Sequence, residues 1–138
     1  MKCRICASNG SPSSASPRAP ATAPAAAHVS VSVFVSVFGS ARVKEGHRWY
    51  ELCRKTAHCL ADHDFTVITG GGPGLMEAAN RGAAEADGLS VGLNIELPME
   101  QKTNVYLDRS VTMHYFFVRK ALLVKYSYAF VVLPGGAG

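Results

Sequence analysis

The stretch ITGGGPGLMEAAN, residues 68–80, joins the end of an apolar segment to a glycine-rich turn and then to a helix-forming run. Glycine allows backbone N–H groups to approach a ligand closely. The start of a helix adds partial positive charge at the same place. This combination predicts a cradle for an anion, and a phosphate group suits it well. The alternative is that the glycines serve only a tight turn between a strand and a helix.

Two well-known phosphate loops do not match this stretch. It is not a Walker loop, because no Gly-Lys-Ser/Thr follows the glycines. It is also a poor dinucleotide fingerprint, since Leu75 stands where the third glycine belongs. The glycines moreover follow the second predicted strand and not the first.

Strand and helix patterns alternate on both sides of this stretch. The predicted strands cover 33–38, 65–69, 89–95, 110–114 and 129–133, and the predicted helices cover 47–62, 75–87 and 115–127. The first helix is expected to bury a stripe made of Trp49, Leu52, Cys53, Thr56, Ala57 and Leu60. Such alternation predicts an α/β fold, a Rossmann-like three-layer sandwich around a mainly parallel sheet.

Ligands of parallel sheets bind at the carboxyl ends of the strands. Three predicted loops leave strands there, namely 39–42, 70–74 and 134–138. The phosphate-binding residues expected in the first two loops are Ser40, Gly71, Gly72 and Gly74. Arg42 lies in the first loop, and arginine suits phosphate recognition.

The predicted helix 115–127 combines two features. Arg119 and Lys120 interrupt an otherwise apolar run. A cation that faces the interior needs an anionic partner, although a long side chain can also extend to solvent. The helix is also apolar on more faces than one sheet can cover, which predicts association of chains. The residues expected to remain uncovered are Phe116, Phe117, Leu122 and Leu123.

The N-terminal region differs in composition from the rest. Residues 1–28 are rich in Ala, Ser and Pro, and we expect a disordered tail followed by one domain over 29–138. Whether this tail is a targeting segment or a start-site artefact is left open. The tail carries three of the cations behind the net charge of +4 and no acid, so the body carries about +1. Neither a nucleic-acid partner nor a membrane span is expected.

The four cysteines do not indicate a metal site. Cys3 and Cys6 form a C-x-x-C in the tail, and no second pair has zinc-ligand spacing. We expect four reduced thiols in a cytoplasmic protein.

Four segments together resemble the LOG (Lonely Guy) family, formerly labelled lysine decarboxylases, and in particular its longer bacterial-type branch. They are FGSAR (38–42), TGGGPGLMEAANRGA (69–83), GLNIELPMEQ (92–101) and YFFVRKALLVKYSYAFVVLPGGAG (115–138). The resemblance implies a Rossmann-like homodimer without a cofactor. It further implies hydrolysis of the N-glycosidic bond of a nucleoside 5′-monophosphate, AMP or a cytokinin riboside monophosphate. The products would be the free base and ribose 5-phosphate.

The resemblance also implies roles for individual residues. Arg119 would be catalytic, and substrate would be bound by Glu100, Lys120, Gly135, Gly136, Ala137 and Gly138. The family's Pro-Gly-Gly-x-Gly-Thr-x-x-Glu motif begins at Pro134, and its Thr and catalytic Glu would follow Gly138. The expectation is therefore a domain that is truncated at its C-terminus and impaired in hydrolysis.

Two other functions compete with hydrolysis. One is a nucleotide or cofactor carrier without hydrolytic activity, of the kind represented by molybdenum-cofactor carrier proteins. The other is a nicotinamide-dependent oxidoreductase. It would need a dinucleotide fingerprint after the first strand, which FGSARVKEG (38–46) does not supply.

Overall fold

Five parallel strands form the sheet in the computed structural model of the chain, which describes residues 32–96 and 103–135. The elements in chain order are β1 (Val33–Phe38), α1 (Arg48–Asp62), β2 (Phe65–Thr69), α2 (Leu75–Glu85), β3 (Ser90–Ile95), β4 (Arg109–Met113), α3 (Phe116–Lys125) and β5 (Ser127–Val132). The predicted α/β class and parallel sheet are confirmed. The predicted tail 1–28 and the first residues of the predicted domain lie outside the described residues.

The spatial order of the strands is β4-β3-β2-β1-β5. The chain moves outward from β1 to β4 and then returns to the other side of β1. Since crossovers between parallel strands are right-handed, this return places α3 on the opposite face of the sheet from α1 and α2. The result is three layers. The order in which successive strands are added to the sheet changes direction between β1 and β5.

Each face of β1 supplies a different core. Val37 belongs to the cluster under α1 and α2, whereas Phe34 and Phe38 pack with the cluster under α3. This follows from the alternation of side chains along a strand that is covered on both faces. The cluster under α3 is the smaller of the two and contains the buried residues Ile68, Leu93 and Leu123.

Helices α1 and α2 approach each other closely at Gly82. A Cβ atom at this position would lie 2.1 Å from the carbonyl oxygen of Arg54. On one side of this contact, the buried Cys53 thiol donates a hydrogen bond to the carbonyl oxygen of Leu75, at a sulfur–oxygen distance of 3.2 Å. The two helices therefore pack with backbone against backbone.

The buried face of α1 differs from the predicted stripe. Cys53 and Ala57 are buried as expected, but Leu52 is 41% exposed. The helix instead buries Tyr50 and Ala61. The reason is that α2 covers α1 from the side, which rotates the buried face away from the stripe that the sheet alone would select.

The end of α3 also differs from its prediction. The helix stops at Lys125 because Ser127 already belongs to β5, two residues before the predicted start of that strand. The Ser127 hydroxyl lies 2.6 Å from the Ser36 hydroxyl of β1, which in turn donates to the carbonyl oxygen of Leu123. These polar contacts join β1, β5 and α3.

Helix α3 covers its own face of the sheet incompletely. Phe117 is 71% exposed and Phe116 is half exposed, as predicted, but Leu123 is buried and Leu122 is half-buried, so the prediction is wrong for Leu123. Large apolar side chains of β5 are exposed as well, including Tyr128 and Val132. Association of chains stays a prediction.

Two further features concern the described residues alone. No helix among them is both long and apolar enough to cross a membrane. In ranges 32–96 and 103–135, no three His, Cys, Asp or Glu side chains cluster in a way that would hold a metal ion.

Cys59 is disulfide-bonded, so the prediction of four reduced thiols is wrong at that position.

Replacing Gly82 by alanine is expected to destabilise the fold. Alanine normally favours a helix over glycine by about 1 kcal/mol. Here the added Cβ meets the Arg54 carbonyl oxygen, and relief of that contact would separate α1 from α2 at a cost of roughly 1–3 kcal/mol. Urea unfolding followed by circular dichroism measures the change, and Ala84→Gly on the same helix is the propensity control. A Gly82→Ala variant as stable as the parent would contradict the close packing.

The Cys53 thiol is expected to be chemically inert in the folded protein. Burial raises its pKa to about 12, so it stays protonated at pH 8, where an exposed cysteine is partly ionised. Alkylation of Cys53 at pH 8 should be about 10³-fold slower in the native protein than in urea. Mass spectrometry of the peptide that contains Cys53 measures both rates. Equal rates would show that α1 and α2 open readily.

Candidate functional site

The carboxyl ends of β1, β2 and β5 bring three loops together at one edge of the sheet. The loop after β1 contacts both of the others through Ser40. The Ser40 amide donates to the carbonyl oxygen of Pro134 at 3.1 Å, and the Ser40 carbonyl oxygen accepts from the Leu75 amide at 3.0 Å. This is the place where the strand order changes direction, and such a switch point opens a crevice in α/β sheets.

Glycine is required on both sides of Ser40. A Cβ atom at Gly74 would lie 2.5 Å from the Ser40 carbonyl oxygen, and one at Gly135 would lie 2.4 Å from the Ser40 Cβ atom. Both glycines also have positive φ angles, +76° and +120°. The structure therefore brings together the predicted residues Ser40, Gly74 and Gly135.

The N-terminus of α2 points to this crevice. Its N-cap is Gly74, and no side chain caps the helix. The Leu75 amide donates its hydrogen bond to the Ser40 carbonyl oxygen. The remaining partial positive charge of the first turn favours an anion nearby.

Arg119 approaches the glycine loop from α3, on the opposite face of the sheet. Its Nη2 atom donates to the Gly70 carbonyl oxygen at 3.4 Å, and its Nε atom is buried without a hydrogen-bond partner among the described residues. A Cβ atom at Gly70 would lie 1.8 Å from Nη2, so only glycine accommodates the guanidinium. Burial lowers the pKa of Arg119, but a guanidinium stays charged at neutral pH.

Within the described part of the chain, this arginine has no anionic partner of the kind that a buried cation needs. Among residues 32–96 and 103–135, no carboxylate forms an ion pair with Arg119. A half-buried charge with an unsatisfied donor is costly unless an anion meets it. Lys120, by contrast, is exposed on the same helix. The two neighbouring cations of α3 thus have different surroundings.

Several predicted site residues lie outside the described part of the chain. They are Glu100, Gly136, Ala137 and Gly138. Gly71 and Gly72 are described and buried in the loop after β2, and Gly71 has a φ angle of +71°. A Cβ atom at Gly71 would lie 1.8 Å from the Asn94 Oδ1 atom.

A buried polar network beneath the glycine loop was not foreseen. The Asn80 side chain, fully buried on α2, accepts from the Thr69 hydroxyl at 2.6 Å and donates to the Ser90 hydroxyl at 2.7 Å. The Thr69 hydroxyl accepts from the Gly71 amide at 2.9 Å. Asn104, after β3, donates to Asn80 Oδ1 at 3.0 Å. The only signal in the sequence is an asparagine on an alanine-rich helix face.

A contact between a histidine and a carboxylate at the same edge of the sheet was also missed. His114 follows β4 and Glu96 follows β3, and the His114 Nδ1 atom contacts the Glu96 carboxylate. Both side chains are mostly exposed. The sequence carries no spacing that would pair them, because they meet only through the register of neighbouring strands.

Beside the start of α2, a cleft of about 500 Å³ adjoins the glycine loop. Its lining includes Arg42, Lys44, Glu45, Tyr50, Gly74 and Glu77. The Arg42 amide donates to the Ser40 hydroxyl at 3.1 Å, which fixes the turn that leads from β1 into the cleft. Arg42 thus lies close to the crevice, as its position in the sequence predicted.

Comparison with solved structures places the chain among Rossmann-like proteins. It is 28% identical to the X-ray structure of the structural-genomics target TM1055, with a TM-score of 0.63, over 73% of this chain and 60% of that chain. It is 23% identical to the molybdenum cofactor carrier protein from Chlamydomonas reinhardtii (TM-score 0.64, covering 76% and 64%). It is 21% identical to the molybdenum cofactor binding protein from Rippkaea orientalis (TM-score 0.65, covering 76% and 64%).

The chain spans between 60% and 64% of the length of these three proteins. At identities below 25%, the two molybdenum cofactor proteins show a shared fold. A search of curated proteins finds no match.

The sequence profile of one family covers most of the chain. It matches residues 32–138, which include all the described strands and helices. The resemblance to LOG proteins is thereby confirmed at the level of the LOG-like superfamily: the chain belongs to the SLOG cluster4 family.

Proposed function

We propose that the crevice between β1 and β5 binds the phosphate of a nucleoside 5′-monophosphate, and that the whole protein hydrolyses the N-glycosidic bond of that nucleotide. The observation that carries the proposal is the Arg119 guanidinium. It is half-buried, its Nε atom has no partner, and it lies against the glycine loop. A phosphate oxygen would satisfy both its charge and its free donor.

The backbone would supply the rest of the phosphate site. Gly74 and Gly135 allow two loops to close around Ser40, and the uncapped N-terminus of α2 adds partial positive charge. A site built in this way binds the phosphate without reading the base. The phosphate would therefore anchor the ribose, and the choice of base would depend on other residues.

Hydrolysis of a ribosyl bond passes through a cation-like sugar, which a carboxylate stabilises while water is activated. Arg119 would hold the substrate in place for that step. Lys120 and Glu100 stay proposals from the resemblance, as do Gly136, Ala137 and Gly138. The acid–base carboxylate of the family motif is assigned to no residue among the 138.

A carrier function without hydrolysis is the second candidate. It is favoured by the similarity in fold to the two molybdenum cofactor proteins. The molybdenum cofactor is an anion, so it would meet the same guanidinium and the same glycine loops. The two candidates differ in their ligand and not in the electrostatics of the crevice.

Replacement of Arg119 by alanine is expected to weaken AMP binding. The lost hydrogen bonds to a charged group correspond to a dissociation constant that is about tenfold to a hundredfold larger. Calorimetric titration of the chain with AMP and with ribose 5-phosphate measures it. Arg109→Ala is the matched control, since Arg109 is exposed at the first position of β4, the end of that strand opposite to the edge where the crevice lies. An Arg119→Ala variant that binds AMP like the parent would remove the main support for this site.

A second experiment separates the two candidate functions. If the nucleotide proposal holds, AMP and N6-modified AMP should displace ribose 5-phosphate from the crevice at lower concentrations than the molybdenum cofactor does. Displacement by the cofactor alone would favour the carrier. Chromatographic detection of free adenine after incubation with AMP then reports hydrolysis directly.

A further inference from the structure

Asn104 makes two hydrogen bonds to the glycine loop, one from its backbone and one from its side chain. Its backbone amide donates to the carbonyl oxygen of Gly71 at 3.2 Å. Its side-chain Nδ2 atom donates to the carbonyl oxygen of Gly72 at 3.3 Å. Two successive carbonyl groups of the loop are therefore turned toward a single residue.

The orientation of these carbonyl groups determines which N–H group is free to bind a ligand. In a trans peptide the C=O and N–H groups point in opposite directions, and the described peptides are all trans. Because Asn104 holds the Gly71 carbonyl group, the Gly72 N–H points the other way. The next peptide has no N–H, since its nitrogen belongs to Pro73.

Asn104 and the crevice are on opposite sides of β2. Asn104 lies in the connection that follows β3, on one side of β2, and the crevice lies on the other side, between β1 and β5. The Gly71 amide is already taken by the Thr69 hydroxyl. Among the described residues, the Gly71 amide thus has an acceptor, and the Gly72 amide is the one left for a ligand.

Asn104 is itself fixed in place. Its Nδ2 atom also donates to Asn80 Oδ1, and its Oδ1 atom accepts from the Tyr106 amide at 3.2 Å. Asn80 is fully buried and hydrogen-bonded at both ends of its amide. A side chain held from three directions can define the conformation of a loop that is rich in glycine and otherwise permissive.

We propose that Asn104 is a positioning residue for phosphate recognition: its side chain, hydrogen-bonded to Asn80 and Gly72, fixes the backbone amide that holds the Gly71 carbonyl group, and so directs the Gly72 N–H at the phosphate. The inference rests on the proposed nucleotide site. It adds a residue that does not touch the ligand and that sets the affinity for the phosphate in particular. Loss of Asn104 should therefore affect a nucleotide and leave the corresponding nucleoside unchanged.

Two variants and one control test this assignment. Asn104→Ala removes the side-chain contacts. Asn104→Asp keeps the acceptor for the Tyr106 amide and removes both donations from Nδ2, so it remains informative if the alanine variant folds poorly. Val105→Ala is the control, because Val105 is its neighbour and is 86% exposed.

The readouts are dissociation constants for AMP and adenosine and the ¹H–¹⁵N signals of the Gly71 and Gly72 amides. In the parent protein and in Val105→Ala, AMP should move the Gly72 signal and adenosine should not. Both Asn104 variants should bind AMP about tenfold more weakly, which is the cost of one hydrogen bond to a charged group. Binding of adenosine should be the same in all four proteins.

Three results would overturn the assignment. One is an Asn104→Ala variant that binds AMP like the parent, and another is an equal loss for AMP and adenosine. The third is a Gly72 signal that AMP leaves in place although AMP binds. If the parent binds no nucleotide, the proposed function fails, and the ligand-free spectra then decide about Asn104. A Gly72 signal that shifts in both variants and not in Val105→Ala supports its positioning role, and an unchanged signal contradicts it.

Discussion

The side-chain amide of Asn80 is the interaction on which the described site depends. It joins the end of β2 through Thr69, the start of β3 through Ser90 and the following connection through Asn104, all within hydrogen-bonding distance. A buried amide that lacks partners costs about 1–3 kcal/mol for each unsatisfied group. These segments are therefore arranged together or not at all. The glycine loop begins at the residue that this network holds, so its position relative to α2 follows from it.

The second constraint is the close approach of backbone segments. Ser40 is enclosed between Gly74 and Gly135, and Arg119 is enclosed against Gly70, at distances that exclude a Cβ atom. At these points the crevice is consequently bounded by peptide groups, and the Arg119 guanidinium lies against the glycine loop from the other face of the sheet. Peptide dipoles and one arginine recognise an anionic group without distinguishing what is attached to it. The same groups would serve either of the two proposed ligands.

The two faces of the sheet are used differently. Helices α1 and α2 cover one face through a tight contact at Gly82 and a buried thiol. Helix α3 covers the other face less fully, and it leaves aromatic side chains of α3 and β5 exposed. Arg119 lies on the less covered face, so it combines partial burial with access to the glycine loop. A charge in this position keeps its electrostatic strength because water screens it only in part.

The sequence by itself determined the class of fold, the parallel strands and the three loops at one edge of the sheet. These features depend on local periodicity and on glycines at strand ends, which are visible along the chain. The sequence pattern predicted the wrong buried face for α1, because that face depends on a neighbouring helix. It also predicted that Leu123 is exposed, because the coverage of this residue depends on how α3 lies on the sheet. Only the tertiary structure decided that Arg119 and not Lys120 meets the glycine loop, that Asn80 and Asn104 hold that loop, and that His114 pairs with Glu96. Each of these contacts joins residues that are distant in sequence, and their geometry is set by strand order and register, which no local pattern encodes.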